Sequence, residues 1–190
     1  MSKVEVEKAW TLYTDGASSS EGAGAGVILT SPTGERSTYA LRFGFKCSNN
    51  EAEYEATLAG LRLAQSLKVK KIAIFSDSLL VVNQVNGTYE AKEAHIRKYL
   101  ERVHKTLLSF ESYTITQVPR SQNKEADALS KLASVVFEHL TKEILVEILP
   151  VRSTEATVVE TFSVQEQEKS WMTPFIEYLQ DGVLPENKVE

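Results

Sequence analysis

Along residues 10–45 the apolar and polar positions alternate at a period of two. Trp10, Leu12 and Thr14 alternate with Thr11, Tyr13 and Asp15, then GAGVILTS follows over 24–31 and RSTYALRFGF over 36–45. That alternation predicts half-buried strands, because successive side chains of a strand point to opposite faces. The link Ser31-Pro32-Thr33-Gly34 carries Pro and Gly at turn positions and predicts a hairpin, while the small polar stretch ASSSEG over 17–22 reads as a surface loop ending the first strand at Asp15. Together these give an antiparallel three-strand meander.

The period then changes to about 3.6. Ser48-Asn49-Asn50 can cap a helix whose apolar positions, Ala52, Ala56, Ala59, Leu63 and Leu67 with Leu58 and Leu61 beside them, carry it to about Leu67. KIAIFSDS over 71–78 is a short apolar strand that delivers Asp77 to its end. Residues 78–85 read as a short helix stopped by Asn86-Gly87, and 93–110 as a longer one with Ile96, Leu100, Val103 and Leu107 as its buried stripe. A strand over 113–118 stops at Pro119. After a loop at 120–123, a helix runs from Lys124 to about Leu140, with Ala128, Leu129, Leu132, Val135 and Val136 apolar and Asp127 in its first turns. The order β-β-β-α-β-α-α-β-α is an α/β (α+β) layer with a mixed sheet.

Composition narrows the class. With 190 residues, 42% hydrophobic and 25% charged, the chain has a globular profile. It has no apolar run near the roughly 20 residues of a membrane span, and its opening MSKVEVEK does not resemble a secretory signal. One cysteine, Cys47, excludes an internal disulfide and any zinc site of several thiolates, which points to an intracellular, reducing compartment with no membrane partner.

The net charge of −5 divides unevenly: residues 1–140 carry +1 and residues 141–190 carry −6. The expected division is therefore a folded domain over 1–140 and an acidic linker or tail over 141–190. Within the tail, 144–149 reads as a strand or a docked extended segment, 150–168 as linker, and about 173–181 as a short amphipathic helix capped by Thr173 with Pro174 first. If bound cations neutralise several acids of the first part, its surface becomes modestly basic and suits a phosphate-rich partner.

The chemistry begins with Asp15 and Asp77, each placed at the end of an apolar strand. Two such strands side by side would gather hard oxygen ligands around a metal ion. Glu53 lies with Glu51 and Glu55 in the first two turns of its helix, and taken without Asp15 and Asp77 the helix macrodipole is its ordinary explanation. Lys98, Arg102 and Lys105 share a helix face that could meet phosphate, although a solvated face is the commoner fate of that spacing, and Lys68, Lys70 and Lys71 read the same way. The GAGAG run at 22–26 lacks the Lys-Ser/Thr of a phosphate loop, and His95, His104 and His139 have no metal-ligand spacing.

Four motifs, YTDGA around Asp15, SNNEAEYEA around Glu53, FSDS around Asp77 and VPRSQNKEADALSKLA around Asp127, stand in order on suitable elements. From about Trp10 to Ala133 the chain resembles the type 1 ribonuclease H family, in particular the archaeal-like domain of plant gypsy-type LTR retrotransposon polyproteins. The resemblance implies a five-stranded mixed sheet with helices on both faces. It implies that Asp15, Glu53, Asp77 and Asp127 are the catalytic carboxylates and the ligands of two Mg²⁺ ions, for which Mn²⁺ can substitute. It also implies hydrolysis of the RNA strand of an RNA–DNA hybrid, leaving 5′-phosphate and 3′-hydroxyl ends, with double-stranded RNA as a side substrate. Ser48, Asn49, Asn50 and Arg120 would contact the substrate. The partners implied are polymerase and integrase portions of a polyprotein, in a cytoplasmic particle or the nucleus, and WMTPFIEYLQDGVLPENK resembles the approach to an integrase zinc-binding region.

Two departures stand out. The loop before Asp127 reads Pro119-Arg120-Ser121-Gln122 where many relatives carry a histidine, and the Trp- and Lys-rich basic loop of bacterial members is missing. An alternative reading is therefore a catalytically weak tether of the same fold, or a nucleic-acid-binding module, between polymerase and integrase.

Overall fold

The computed structural model describes residues 8–135 and 145–155. Its elements run β1 (Trp10–Ser19), β2 (Gly22–Thr30), β3 (Arg36–Phe43), α1 (Asn49–Ser66), β4 (Lys71–Ser76), α2 (Leu79–Val85), α3 (Ala94–Leu107), β5 (Ser112–Gln117), a 3₁₀ turn (Arg120–Gln122), α4 (Lys124–Val135) and β6 (Leu145–Leu149). The sheet has the order β5-β4-β1-β2-β3-β6. Its β1–β2–β3 part is an antiparallel meander, and β4 and β5 extend it in parallel from β1.

The mixed α/β architecture is as expected, with two differences. The sheet has six strands among the described residues, where five were expected, because Leu145–Leu149 adds in parallel to the outer edge of β3. That strand lies beyond residue 140. The expected linker over 150–168 is not loose where it is described: Arg152 and the buried Ser153 are hydrogen-bonded to Glu51 and Glu55 of α1, because those buried or half-buried carboxylates need donors. The expected continuation of α4 to Leu140, the rest of that linker from 156 onward and the helix at about 173–181 lie outside the described residues.

The second difference concerns Asp15. It was expected to end its strand, yet β1 runs on to Ser19, and Asp15 sits opposite Gly26 in mid-strand. The reason lies in β2: Gly22, Ala23, Gly24, Ala25 and Gly26 face Ser19 back to Asp15, and such small partners let the ladder continue until only Ser20-Glu21 are left to turn.

One face of the sheet packs on α1 and the other on α4. Leu12, Leu29, Leu41 and Ile74 meet α1, whose outer side is covered in turn by Ile96, Tyr99, Val103 and Leu107 of α3. A helix clasped on two sides is buried nearly all round, which explains why α1 reads as apolar over so much of its circumference. Its start is fixed by a capping box: Ser48 accepts the Glu51 N–H, and the Glu51 carboxylate accepts the Ser48 N–H.

On the opposite face α4 buries Ala126, Leu129, Ser130 and Ala133, while Ala128 and Leu132 of the expected stripe are exposed. Small residues face small residues here. A Cβ added to Gly24 would lie 2.8 Å from the Ala133 Cβ, and one added to Gly26 would lie 2.2 Å from the Ala126 carbonyl oxygen. The glycines of GAGAG thus open no phosphate loop; they let α4 lie directly on β2.

Candidate active site

Thr14 and Ser76 are the last paired residues of the parallel β1–β4 ladder. The residue after each is an acid, so Asp15 and Asp77 leave the ladder at the same height. Asp15 is in mid-strand toward β2, but toward β4 it stands where pairing stops. That edge is where an oxygen-rich cluster can form without opening the sheet.

Glu53 reaches the same edge from α1. Gly16, next to Asp15, lies so close beneath the first turns of that helix that an added Cβ would be 2.2 Å from the Ala52 carbonyl carbon and 2.4 Å from the Glu53 nitrogen. Only a residue without a side chain fits this contact. As a result, one carboxylate oxygen from each of Asp15, Glu53 and Asp77 lies within 4.8 Å of the others.

Gathering these acids strains their ionisation. Burial, with the charges of Asp77 and Asp127 adding to it, pushes Asp15 up to about 7, although the Ser130 hydroxyl pulls the other way. Burial and the charges of Asp15 and Asp77 push Glu53 up to about 9 against the pull of the Gly16 backbone. The Glu53 Oε2 atom is buried without a hydrogen-bond partner. Three hard oxygen donors, two of them with proton affinity raised by burial and by the charge of neighbouring acids and one offering a buried unpaired acceptor, fit a divalent cation such as Mg²⁺.

Asp127 is placed differently. It lies outside that three-acid group, in the first turn of α4, with its carboxylate 2.8 Å from the Lys131 Nζ. It is nevertheless near enough for its charge to act on Asp15. One turn on, Ser130 donates its hydroxyl to Asp15 Oδ2, so the helix of the fourth acid is tied to the first. Asn123, just before that helix, donates to the Thr14 carbonyl oxygen at 3.0 Å and moors the loop to β1.

The expected substrate-contacting residues lie around this edge. Ser48, Asn49 and Asn50 are exposed at the start of α1, Ser48 with its hydroxyl committed to the cap and Asn49 accepting the Ser18 N–H at 3.2 Å. The Arg120 side chain is 92% exposed, with its Nε 3.7 Å from Asp77 Oδ2. The sequence reading missed Ser130, Gly16 and Asn123. The spacing Ala126, Ser130, Ala133 on one helix face was a usable signal, because a small-residue stripe matches the glycine run of β2.

A family profile described as "Reverse transcriptase-like" matches residues 13–133. Ribonuclease HI of Halobacterium salinarum is 35% identical over 88 residues, which are 46% of this chain and 44% of that protein. The chain thus spans under half the length of that relative. The crystal structure of ribonuclease H1 from the same archaeon aligns with a TM-score of 0.59 at 32% identity, covering 66% of this chain and 97% of that one. The structure of LC11 ribonuclease H1, described as in complex with an RNA/DNA hybrid, aligns at a TM-score of 0.56 and 26% identity, covering 64% of this chain and 94% of that one. With the profile spanning well over half of its residues and the archaeal structure matched almost end to end, the chain belongs to the reverse transcriptase-like family, as a domain of the ribonuclease H-like kind.

Proposed function

We propose that the chain is a metal-dependent endonuclease that hydrolyses the RNA strand of RNA–DNA hybrids. The observation that carries this reading is the meeting of Asp15, Glu53 and Asp77, from β1, α1 and β4, at one edge of the sheet. A spacer or passive binding module has no physical need for acids whose mutual repulsion must be offset. Relatives described as ribonuclease H1, one of them in complex with a hybrid, supply the substrate class.

Asp15, Glu53 and Asp77 would hold one Mg²⁺, and Asp15 with Asp127 a second. Bound there, the cations would supply counter-charge for the carboxylates and for the phosphodiester as it is displaced in line, leaving 5′-phosphate and 3′-hydroxyl ends. Asp15 is central because it belongs to the three-acid group and also feels the charge of Asp127, and Ser130 orients it. Asp127 would set the attacking side once Lys131 lets it turn. Asn49 and Asn50, exposed at the helix start, would read sugar and base edges across the wide minor groove, where 2′-hydroxyls distinguish RNA from DNA, and Ser48 beside them would help hold a phosphate of the DNA strand. Arg120 would hold a phosphate beside Asp77; its guanidinium stays charged and so serves as an anchor, not as a proton carrier.

The resemblance carried by the four motifs supports reading this activity as part of reverse transcription in a gypsy-type retrotransposon, where the chain would work between polymerase and integrase portions in a cytoplasmic particle or the nucleus. Double-stranded RNA is a side substrate in this reading. The weak-tether alternative draws on the loop before Asp127, which carries no histidine, and on the Lys131 ion pair that occupies Asp127. Cleavage of an end-labelled hybrid with Mg²⁺ or Mn²⁺, beside a D15N control, separates the two. Cutting by the wild type alone supports the nuclease; equal cutting by both, or by neither, overturns it.

A further inference from the structure

The family match ends at residue 133, yet the chain returns to the sheet at Leu145 and continues across the back of α1. We propose that Arg152 and Ser153 in this returning segment are positioning residues for Glu53, an inference that rests on the metal-nuclease reading above.

The contacts fall in one place. Arg152 donates its Nε–H to Glu51 Oε2 at 2.9 Å, places its guanidinium 5.0 Å from the centre of the Phe45 ring, and also reaches the Lys46 carbonyl oxygen. Ser153 donates to the Glu55 carboxylate twice, from its backbone N–H at 2.8 Å and from its hydroxyl at 2.5 Å. Glu55 is completely buried, and its remaining donor is the Tyr99 hydroxyl at 2.6 Å. Arg62 completes the cluster by donating to the Ser153 hydroxyl at 2.9 Å.

Helical geometry turns these contacts into control of Glu53. Glu51 and Glu55 are four residues apart and share a face, whereas Glu53, midway between them, points from the opposite side. The strap therefore grips the back of the first two turns while Gly16 of β1 bears on the front. Held between the two, α1 has its rotation and height fixed where Glu53 meets Asp15 and Asp77. Glu51 also closes the capping box, so the strap holds the residue that defines where the helix begins.

The anchoring strand supports the same placement. β6 pairs with β3 over Tyr39 to Phe43, and Tyr39 donates its hydroxyl to Glu147 at 3.3 Å. The Gly44 N–H then binds the Leu149 carbonyl oxygen at 2.8 Å, delivering the chain to Arg152. Without the Ser153 hydroxyl the buried Glu55 carboxylate loses one of its three donors and Arg62 loses its acceptor, and without the Arg152 guanidinium Glu51 loses its ion pair; either change lets the first turns of α1 shift and takes the metal centre out of alignment.

The test uses the full 190-residue chain with S153A, R152Q and R152K. Three quantities are read at a temperature where every variant is folded by circular dichroism: Mn²⁺ affinity by calorimetry, kcat and KM on a labelled hybrid, and hydrogen exchange of the α1 amides. The expected result for S153A and R152Q is about tenfold weaker Mn²⁺ binding and a matching loss in kcat with KM little changed, the pattern of a lost supporting contact. Faster exchange should be confined to the first two turns of α1, and R152K should recover part of the loss. Folded variants with wild-type Mn²⁺ affinity and kcat would overturn the proposal and leave the strap a stabiliser only. Should the wild type neither bind Mn²⁺ nor cleave, the nuclease reading fails. The exchange data would then judge the strap separately, and unchanged or uniformly raised exchange would sink it.

Discussion

Ser130 on α4 gives its hydroxyl proton to Asp15 on β1 while its oxygen also lies 2.8 Å from the Asp127 carbonyl oxygen. A fully buried serine thus joins the strand of the first acid to the helix of the fourth. Its hydrogen bond lowers the proton affinity of Asp15 against burial and neighbouring charge. S130A should therefore leave Asp15 more firmly protonated, weaken Mg²⁺ binding by about tenfold, and cut the rate at low Mg²⁺ with recovery at high Mg²⁺. A Mg²⁺ titration of hybrid cleavage checks this; a loss of rate that Mg²⁺ does not restore would contradict it.

Gly16 makes a second prediction. An added Cβ would overlap the backbone of Ala52 and Glu53, atoms that cannot rotate away. G16A should push α1 off β1, cost about 2–4 kcal/mol in stability, and separate Glu53 from Asp15. Chemical denaturation with and without Mn²⁺ measures both effects, since the wild type should gain stability from the ion and the variant should gain little.

These two residues show what could and could not be read from the chain. The strands, the order of helices, the cap at Ser48 and the pair Asp15 and Asp77 were legible because each has a local signature: alternation, a capping serine, a carboxylate after an apolar run; Glu53 was reached only through its motif, since an acid in the first turns of a helix has an ordinary explanation. Close approach has no such signature. GAGAG was a negative finding for phosphate binding, and its purpose became visible only against the Ala126, Ser130 and Ala133 face of α4. The stripe chosen for α4 favoured larger residues such as Leu132, whereas distance to a glycine-rich strand favours small ones. Likewise, Leu145–Leu149 could be read as strand or docked segment, but its partner β3 is about a hundred residues away in sequence, and nothing local names it.

The protonation of the acid cluster has a consequence for stability. Asp15 and Glu53 have ordinary values of 3.8 and 4.5 and are raised to about 7 and about 9 in the fold. Below about pH 4 both states hold these protons and folding is not penalised. As pH rises, the unfolded chain releases them first, so the metal-free fold loses stability steadily until about pH 9, above which the loss levels off. Glu147, raised to about 7 mainly by its burial, adds a loss of the same sign that no cation at the acid cluster relieves. Melting in a chelator should therefore fall by several degrees between about pH 5 and pH 9, and saturating Mg²⁺ should flatten most of the slope. E53Q should melt higher than the wild type in chelator at about pH 8 while losing cleavage, the trade expected of a functional acid. A flat melting profile in chelator would mean that the acids share no such strain.

Lys131 provides the sharpest test of Asp127. The pair is on the surface, one turn apart on α4, with the lysine side chain 66% exposed, so its contribution to stability is small. Its effect on the site is different, since the ammonium occupies the carboxylate that would have to turn toward a cation. K131Q should shift the unfolding free energy by less than about 0.5 kcal/mol and leave the circular dichroism spectrum unchanged. If Asp127 serves as a ligand, freeing it should lower the Mg²⁺ concentration for half-maximal cleavage about two- to threefold, because a competing cation has been removed at the Coulomb cost of an exposed pair. In a D127N background the same substitution should do nothing to the metal dependence. Were K131Q instead to raise KM for the hybrid at constant Mg²⁺ requirement, Lys131 would be a phosphate contact and Asp127 would stand outside the catalytic set.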